Sequence, residues 1–411
     1  MNDRELKFTY FGYLFFCLII IYSYLSFIGF VPKVSSPILY VFLLIPIIFS
    51  YFKQIFRGEK LSKGEVLLWI LILWIAVLHF IWFPIISAQV GVTEFLKNSV
   101  GTLLLTLLML LIGFEFGRNY CKLITNVRYN KITLLVTIFF VCVIFLGVFL
   151  GEKNQGIFVL YFKNYQSDFG YNYQSIGDSF AILSLFALLQ INNLYLETFV
   201  YVTSLIALFF SFSRTSFLLY TFFGGIFLVF DYKKSSKGLK KIFGRLTFLM
   251  LVASLVVLLV ILSKNNSGQI QLVFRRMLLS FTSPSAWQAR VEIFQKNLRV
   301  LADSWIFGEY MAEYIEFGPG GYIHNWLSFL VAYGIGPFFV FLVLTLMMLK
   351  KSLDIFVLYK QSFPLILFGF CLSAIIISRS YLWPYIWLSL GLISTINLKG
   401  MDNEDCLSNT L

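Results

Sequence analysis

The sequence predicts an all-α polytopic membrane protein with about 12 transmembrane helices. Three observations lead to this fold class. Hydrophobic residues make up 59% of the 411 residues and charged residues only 13%, whereas about a quarter of the residues in a soluble domain are charged. The mean hydropathy is +0.84. Apolar segments recur along the whole chain, so we expect one integral membrane domain over residues 1–411.

Each predicted span is an apolar segment close to the length of about 20 residues that a helix needs to cross the hydrocarbon core. The predicted spans cover residues 10–31, 35–52, 66–84, 98–114, 132–150, 176–191, 198–213, 215–231, 246–263, 325–349, 363–378 and 382–398. Because their number is even, both chain ends are predicted on the same side of the membrane.

Lysine and arginine set the predicted orientation. With the N-terminus inside, most of the 32 basic residues fall in inner segments, among them residues 53–63, 118–131, 233–245 and 350–360. The positive-inside rule therefore predicts both termini in the cytoplasm. The net charge of +12 then reflects membrane topology, and we expect no nucleic-acid partner.

One polar segment, residues 264–324, is longer and more highly charged than any other interval between the spans. The orientation places it outside the cytoplasm, as a large outer loop. Apolar residues at steps of three and four predict an amphipathic helix over Trp287–Leu301, lying on the outer membrane surface. The residues that carry this pattern are Val291, Phe294, Leu298 and Leu301. The run Gly318-Pro319-Gly320-Gly321 then predicts a tight turn before His324, at the mouth of the tenth span.

Several kinds of chemistry have no support in the sequence. It contains no GxxxxGK[ST] run, no HExxH, no CxxC and only two histidines, so we predict neither a P-loop nor a zinc site. The five cysteines show no paired spacing, and we expect no disulfide framework. Carboxylates are nearly absent from the centres of the apolar segments, which argues against a proton-driven antiporter. We predict no metal and no cofactor.

Basic residues at the predicted outer face remain as candidates. Arg214 lies in Ser211-Phe212-Ser213-Arg214-Thr215-Ser216, between two apolar segments, where an arginine either snorkels to the interface or binds an anion. The flanking hydroxyls are candidate phosphate donors. Arg379, between two serines, repeats the arrangement at another outer end. Arg290 lies on the predicted amphipathic helix, where a charge is often simply solvated. Three guanidinium groups at one face could clamp a diphosphate.

His324 is the histidine at the predicted outer face, and an imidazole there is either structural or a base near neutral pH. His79 lies among apolar residues of the third span, so we assign it to packing. Several carboxylates are either helpers at the site or solvated surface groups. They are Asp168, Asp178, Glu309, Glu313 and Glu316.

These features together resemble the O-antigen ligase and O-antigen polymerase (Wzy-like) superfamily. The resemblance covers roughly residues 160–350. It is carried by Ser213-Arg214-Thr215 opening a helix, Arg290 in an amphipathic segment, the turn Trp305-Ile306-Phe307-Gly308, and His324-Asn325 followed by Leu327, Gly334 and Gly336. Glu309 departs from the glycine-x-glycine pattern of the ligases, which favours the polymerases.

The resemblance implies a metal-independent glycosyltransferase of the lipid-linked C type (GT-C-like). Such enzymes lie in the bacterial inner membrane, where they take a glycan from undecaprenyl diphosphate on the periplasmic face and pass it to an acceptor sugar. The resemblance therefore implies that residues 264–324 form a periplasmic loop. By motif, Arg214 and Arg290 would bind the diphosphate, and His324 would sit at the acceptor as the base. The predicted substrate-binding residues are Arg379, Arg275, Arg276, Asn325 and Tyr322. The implied partners are the lipid-linked oligosaccharide, membrane lipid and a chain-length regulator protein.

Three functions stay open at this point. The first is a polymerase that joins O-antigen or related surface-polysaccharide repeat units, each carried on undecaprenyl diphosphate. The second is an O-antigen ligase, which uses the same donor and transfers the glycan to the lipid A core. The third belongs to another class, a flippase or transporter of lipid-linked oligosaccharides, which would need a charged path through the bilayer.

Overall fold

The structure of the chain is a computed structural model. It describes residues 3–27, 30–31, 36–56, 58, 60–125, 127–150, 152–154, 157–159, 173–191, 193–211, 213–232, 284–318, 325–380 and 383–398. Apart from a two-stranded ribbon, the regular structure in these ranges is helical, which confirms the predicted all-α class.

The helices and strands are numbered in chain order. They are α1 (Asp3–Phe27), α2 (Ser36–Phe56), α3 (Lys63–Val90), α4 (Val92–Phe95), a π-helical turn (Leu96–Val100), α5 (Gly101–Arg118), α6 (Tyr120–Thr125), α7 (Val127–Leu150), β1 (Glu152–Asn154), β2 (Ile157–Val159), α8 (Tyr173–Gln190), α9 (Leu194–Phe210), α10 (Arg214–Tyr232), α11 (Pro284–Ser304), α12 (Ala312–Phe317), α13 (Leu327–Tyr333), α14 (Ile335–Tyr359), α15 (Phe363–Ile377) and α16 (Pro384–Thr395).

Contacts group the described helices into two compact units. The first unit contains α2 to α5 and α11 to α16. The second contains most of α1 together with α7 to α10 and the β1–β2 ribbon. The predicted single membrane domain stays a prediction.

The closest helix pair of the first unit is α5 against α16, where glycines let the two backbones touch. A Cβ atom on Gly113 would lie 2.3 Å from the Leu388 carbonyl oxygen, and one on Gly117 would lie 2.0 Å from that of Leu392. Gly391 makes the same close approach from the other helix. The spacing Gly113-x-x-x-Gly117 is the small-residue pattern by which apolar helices approach each other closely.

The second unit is a bundle in which α8, α9 and α10 pack on one another and α7 packs on α8 and α9. Its core is aromatic: the Tyr201 and Tyr220 rings stack at 5.5 Å, and the Tyr201 hydroxyl donates to the Thr221 carbonyl oxygen at 2.9 Å. The strands β1 and β2 pair antiparallel, with Lys153 opposite Phe158. They form a small ribbon in the predicted outer segment after the fifth span.

Two described helices, α3 and α5, are long and apolar enough to cross a membrane by length and composition. The prediction of about 12 spans stays a prediction beyond these two. Shorter apolar helical stretches cover Tyr13–Ser26, Tyr40–Phe56, Lys131–Leu146, Tyr195–Phe210, Arg214–Phe230 and Phe363–Ile377. The ninth predicted span, 246–263, lies outside the described residues.

Two expectations need correction. The tenth predicted span, 325–349, is not one helix, because Gly334 adopts a φ of +75° and separates α13 from α14. Cys121 is disulfide-bonded, although no paired spacing predicted a bridge. Spacing along the chain does not show which cysteines come within bonding distance, because a bridge depends on the folded geometry.

The predicted amphipathic helix is confirmed and is longer than predicted, since α11 runs over Pro284–Ser304. It has three faces. Val300 and Ser304 are buried, and Val300 packs with residues of α12 and α13 in a small apolar core. Phe294 and Leu298 stay exposed beside that face. Charged residues occupy the remaining side, and they are Glu292, Lys296, Arg299 and Asp303.

Candidate functional site

The turn around Arg214 is held by hydrogen bonds between serine hydroxyls. Ser213 precedes α10, and its carbonyl oxygen accepts from the Phe217 amide at 2.8 Å. The Ser213 and Ser216 hydroxyl oxygens lie 2.6 Å apart and share a hydrogen bond. Arg214 is therefore the first residue of a helix whose start is fixed, and its side chain is partly exposed. A helix N-terminus favours bound anions, and so does a guanidinium group.

The anchor of this turn is the carboxylate of Asp178 on α8. Asp178 is only 2% exposed, and the Ser216 hydroxyl donates to its Oδ1. The neighbouring Gly177 lets α8 lie against the turn, because a Cβ atom there would be 2.1 Å from the Ser213 Cβ. The interpretation of Asp178 as a solvated surface group is wrong, since it is buried and bonded to the motif.

The two serines have a different role from the one predicted. Ser213 and Ser216 are each 1% exposed, and their hydroxyls bond to each other and to Asp178. As phosphate donors they would have to be accessible. Among the described residues of the motif, Ser211, Arg214 and Thr215 are partly exposed. The motif therefore contains two buried serines that hold the turn and partly exposed residues beside them.

Arg379 is buried and folded back on its own chain. Its Nη1 donates to the carbonyl oxygen and the hydroxyl of Ser378, both at 3.2 Å, and its amide closes the end of α15 by donating to the Ala374 carbonyl oxygen at 2.9 Å. A cation at a helix C-terminus stabilises the helix dipole. This position gives Arg379 a structural role in the first unit, and its binding of diphosphate stays a prediction.

Two glycine motifs of the predicted family pattern meet in the first unit. Gly308 follows α11 with a φ of +73°, and a Cβ atom on it would lie 2.4 Å from the Gly334 amide nitrogen. The Glu309 amide donates to the Val331 carbonyl oxygen at 2.7 Å, and the Ile335 amide to that of Ile306 at 3.3 Å. We call this contact between Gly308 and Gly334 the glycine crossing. It fixes the end of α11, the helix that contains Arg290, against α13, the helix that follows Asn325.

Asn325 lies two residues before the start of α13. Its Oδ1 accepts from the Leu327 amide at 2.9 Å, and its carbonyl oxygen accepts from the Ser328 hydroxyl at 2.8 Å. The side-chain oxygen is thus used to start the helix, as in an Asx turn. The other predicted residues of this region lie outside the described residues. They are His324, Tyr322, Arg275, Arg276 and the side chain of Arg290.

His79 packs as predicted, against one residue of the loop 264–324 and one residue of α13. Its ring lies 4.3 Å from the Tyr310 ring and 5.7 Å from the Tyr333 ring. Its Nδ1 lies 2.7 Å from the Ile75 carbonyl oxygen, within its own helix. The loop segment before α12 is therefore seated against α3. Of the carboxylates named above, Glu313 is buried and Glu309 and Glu316 are exposed, while Asp168 lies outside the described residues.

The structure also shows a second polar cluster, which the sequence did not reveal. It lies at the end of the helices that is expected to face the cytoplasm. Arg118 pairs with Glu65 at 2.5 Å, stacks 4.7 Å over the Tyr51 ring and donates to Gln54, which donates to Glu115 at 3.2 Å. We call these five residues the inner ion cluster. Arg118 was predicted to be a loop charge, but its side chain is only 12% exposed. Because each charge has a protein partner, the cluster is structural.

One part of the inner ion cluster can be read from the sequence. Ser62-x-x-Glu65 is a capping box: the Glu65 amide donates to the Ser62 hydroxyl at 3.1 Å, and the Ser62 amide to Glu65 Oε2 at 2.8 Å. The pattern predicts the start of α3. It does not predict that the other carboxylate oxygen meets Arg118.

Comparison with known proteins adds no family assignment, because no family model, curated protein or solved structure matches the chain. Among the described residues, no group of three or more histidine, cysteine, aspartate or glutamate side chains could hold a metal ion.

Proposed function

We propose that this chain is a membrane glycosyltransferase of the O-antigen polymerase (Wzy-like) kind. It transfers a glycan from undecaprenyl diphosphate to the acceptor sugar of another lipid-linked repeat unit, on the periplasmic face and without a metal. The observation that carries the proposal is the turn at Arg214. Two serine hydroxyls and the buried Asp178 fix that turn, so a partly exposed arginine stands at a helix N-terminus.

The reaction needs a cation and a base. The acceptor hydroxyl oxygen bonds to the anomeric carbon of the donor sugar, and the bond from that carbon to the diphosphate oxygen breaks. The lipid diphosphate leaves with the bonding electrons, so its charge needs fixed cations such as Arg214 and Arg290. The hydroxyl proton passes to a base, the role proposed for His324.

The glycine crossing supports the proposal from the first unit. It joins Trp305–Gly308 to Gly334, two parts of the family pattern that are far apart in sequence. The segment 319–324 with His324 lies between α12 and α13, and both of these helices pack on α11. The ends of the segment that carries the proposed base are therefore held to the helix that carries Arg290.

The membrane setting belongs to the same proposal. The helices α3 and α5 are long and apolar enough to cross a bilayer, and α3 exposes large apolar side chains along its length. Among these are Phe80 at 80% and Leu73 at 62% exposed. In water such a surface would be costly, whereas lipid chains cover it without penalty.

Glycan-length analysis of a strain that lacks the gene tests the polymerase against its alternatives. The expected result is the loss of long chains while a single repeat unit stays attached to the lipid A core. Reintroduction of the wild-type gene should restore the ladder of lengths. Loss of all attached glycan would instead favour the ligase, and accumulation of lipid-linked units on the cytoplasmic side would favour the flippase.

A further inference from the structure

Three consecutive large apolar side chains stand exposed at the turn that ends α11. Trp305, Ile306 and Phe307 are 47%, 49% and 82% exposed. Phe294 and Leu298 of α11 are exposed at positions that share a helix face with Trp305. Residues of this kind at adjacent positions form a surface that water does not favour.

The turn cannot withdraw these side chains into the protein. The Gly308 amide donates to the Ser304 carbonyl oxygen at 2.7 Å, and the glycine crossing locks the backbone on the other side. A Cβ atom on Gly334 would lie 2.4 Å from the Ile306 carbonyl oxygen. The exposed surface is therefore built into the fold of the first unit.

Contacts with α3 show at which level along the axis of that helix the turn lies. Tyr310 lies on His79, and Gly336 lies against Trp74, whereas Gly64 meets Met348 at the other end of the helix pair. His79 is about 22 Å above Gly64 along the helix axis. The hydrocarbon core is about 30 Å thick. If the hydrocarbon core of the bilayer begins near Gly64, it extends beyond the level of His79 and of the Trp305–Tyr310 segment.

We propose that Trp305, Ile306 and Phe307 insert between phospholipid acyl chains of the outer leaflet. The turn is then a membrane-embedded part of a loop that was predicted to lie wholly outside. The apolar surface of α3 at the same level, formed by Val77, Phe80 and Ile81, is also exposed and would meet the same chains. The inference rests on the membrane setting of the proposed function.

Spin labels on single cysteines test the insertion in liposomes of phosphatidylethanolamine and phosphatidylglycerol. The free cysteines in the described part of the chain, which are Cys17, Cys142 and Cys371, are replaced by alanine, and the signal of this background is subtracted. Collisions with oxygen, which concentrates in lipid, are compared with collisions with a water-soluble nickel chelate. The labelled variants are Phe307→Cys, Ile81→Cys as the lipid reference and Arg299→Cys, on the charged face of α11, as the water reference.

We expect Phe307→Cys to match Ile81→Cys, with frequent oxygen collisions and few nickel collisions. Nickel access at position 307 like that at position 299, with position 81 still in lipid, would overturn this inference alone. Protection of position 307 from both reagents would also overturn it, because protein would then cover the turn. Nickel access at position 81 would overturn the membrane setting, and the proposed function with it.

Discussion

At the scale of single residues, Asp178 connects burial to function. Asp178→Leu removes the acceptor of the Ser216 hydroxyl and leaves a buried donor without its partner, which costs about 1–3 kcal/mol. We expect elongation to fall by about fivefold or more where this cost falls on the active geometry, since 1.4 kcal/mol corresponds to a factor of about ten. Asp178→Asn keeps an oxygen acceptor and should retain most activity. The readouts are the glycan ladder and the thermal unfolding of purified protein.

Ser179→Ala is the matched control for Asp178, because it lies on the same helix and its hydroxyl bonds to the Ser175 carbonyl oxygen. It should keep the full ladder. If Asp178→Leu also kept the full ladder, the carboxylate would have no part in positioning Arg214. The sequence could identify the Arg214 motif, but it could not predict that Asp178, which is distant in the chain, would hold it.

Lys351 gives a pH-dependent prediction. Burial lowers the pKa of Lys351 to about 8, although the nearby Glu65 charge opposes this, and its Nζ donates to the Ser394 carbonyl oxygen at 2.9 Å. A lowered pKa means that the reactive neutral amine forms as pH rises through 8. Acetylation followed by mass spectrometry should show a rate profile for Lys351 with a midpoint near 8, with exposed Lys350 as the internal reference. A profile that rises only above pH 10 would contradict the burial.

At the scale of elements, the glycine crossing predicts a specific sensitivity. Gly334→Ala should destabilise the protein for two reasons. An alanine is strained at a φ of +75°, and its Cβ atom would clash with the Ile306 carbonyl oxygen at 2.4 Å. Only the first reason applies to Gly318→Ala, since its φ is +77° with no atom within 4 Å. We expect about 1 kcal/mol of destabilisation for Gly318→Ala and clearly more for Gly334→Ala. Equal unfolding temperatures for the two variants would show that the crossing is not close-packed.

The inner ion cluster joins α2, α3 and α5, and it gives a second prediction at this scale. Arg118→Met leaves Glu65 buried beside Tyr51 without its ion pair. This change should lower the free energy of unfolding by about 3–5 kcal/mol. The double variant Arg118→Met/Glu65→Gln should recover part of this stability, because no unpaired charge stays behind. Denaturant unfolding in detergent measures both variants. A double variant as unstable as the single one would show that charge pairing is not the cause.

The elements differ in how far the sequence reveals them. The three- and four-residue steps of α11 and the capping box of α3 are local patterns, so the sequence predicts both helices. The break at Gly334 was missed, because an apolar run does not show that its glycine must pack against Gly308. The pair Gly113 and Gly117 has a readable spacing, but its partner Gly391 is known only from the fold.

At the scale of the whole molecule, composition was enough to predict an all-helical protein. It could not predict that contacts would divide the chain into two units, with Arg214 in the second and α11, Asn325 and Arg379 in the first. Such a division depends on which helices pack together, and apolar segments of similar composition do not specify their partners. The site as predicted therefore draws on both units.

The most direct test of the central claim is elongation by the purified protein in liposomes. The substrate is the lipid-linked single repeat unit isolated from a strain that lacks the gene, and EDTA is present throughout. We predict that the wild-type chain forms lipid-linked glycans of several units and that Arg214→Ala, at equal protein abundance, forms none. If the wild-type chain forms no longer glycans, or forms them only after a divalent metal is added, the account of a metal-independent polymerase is contradicted.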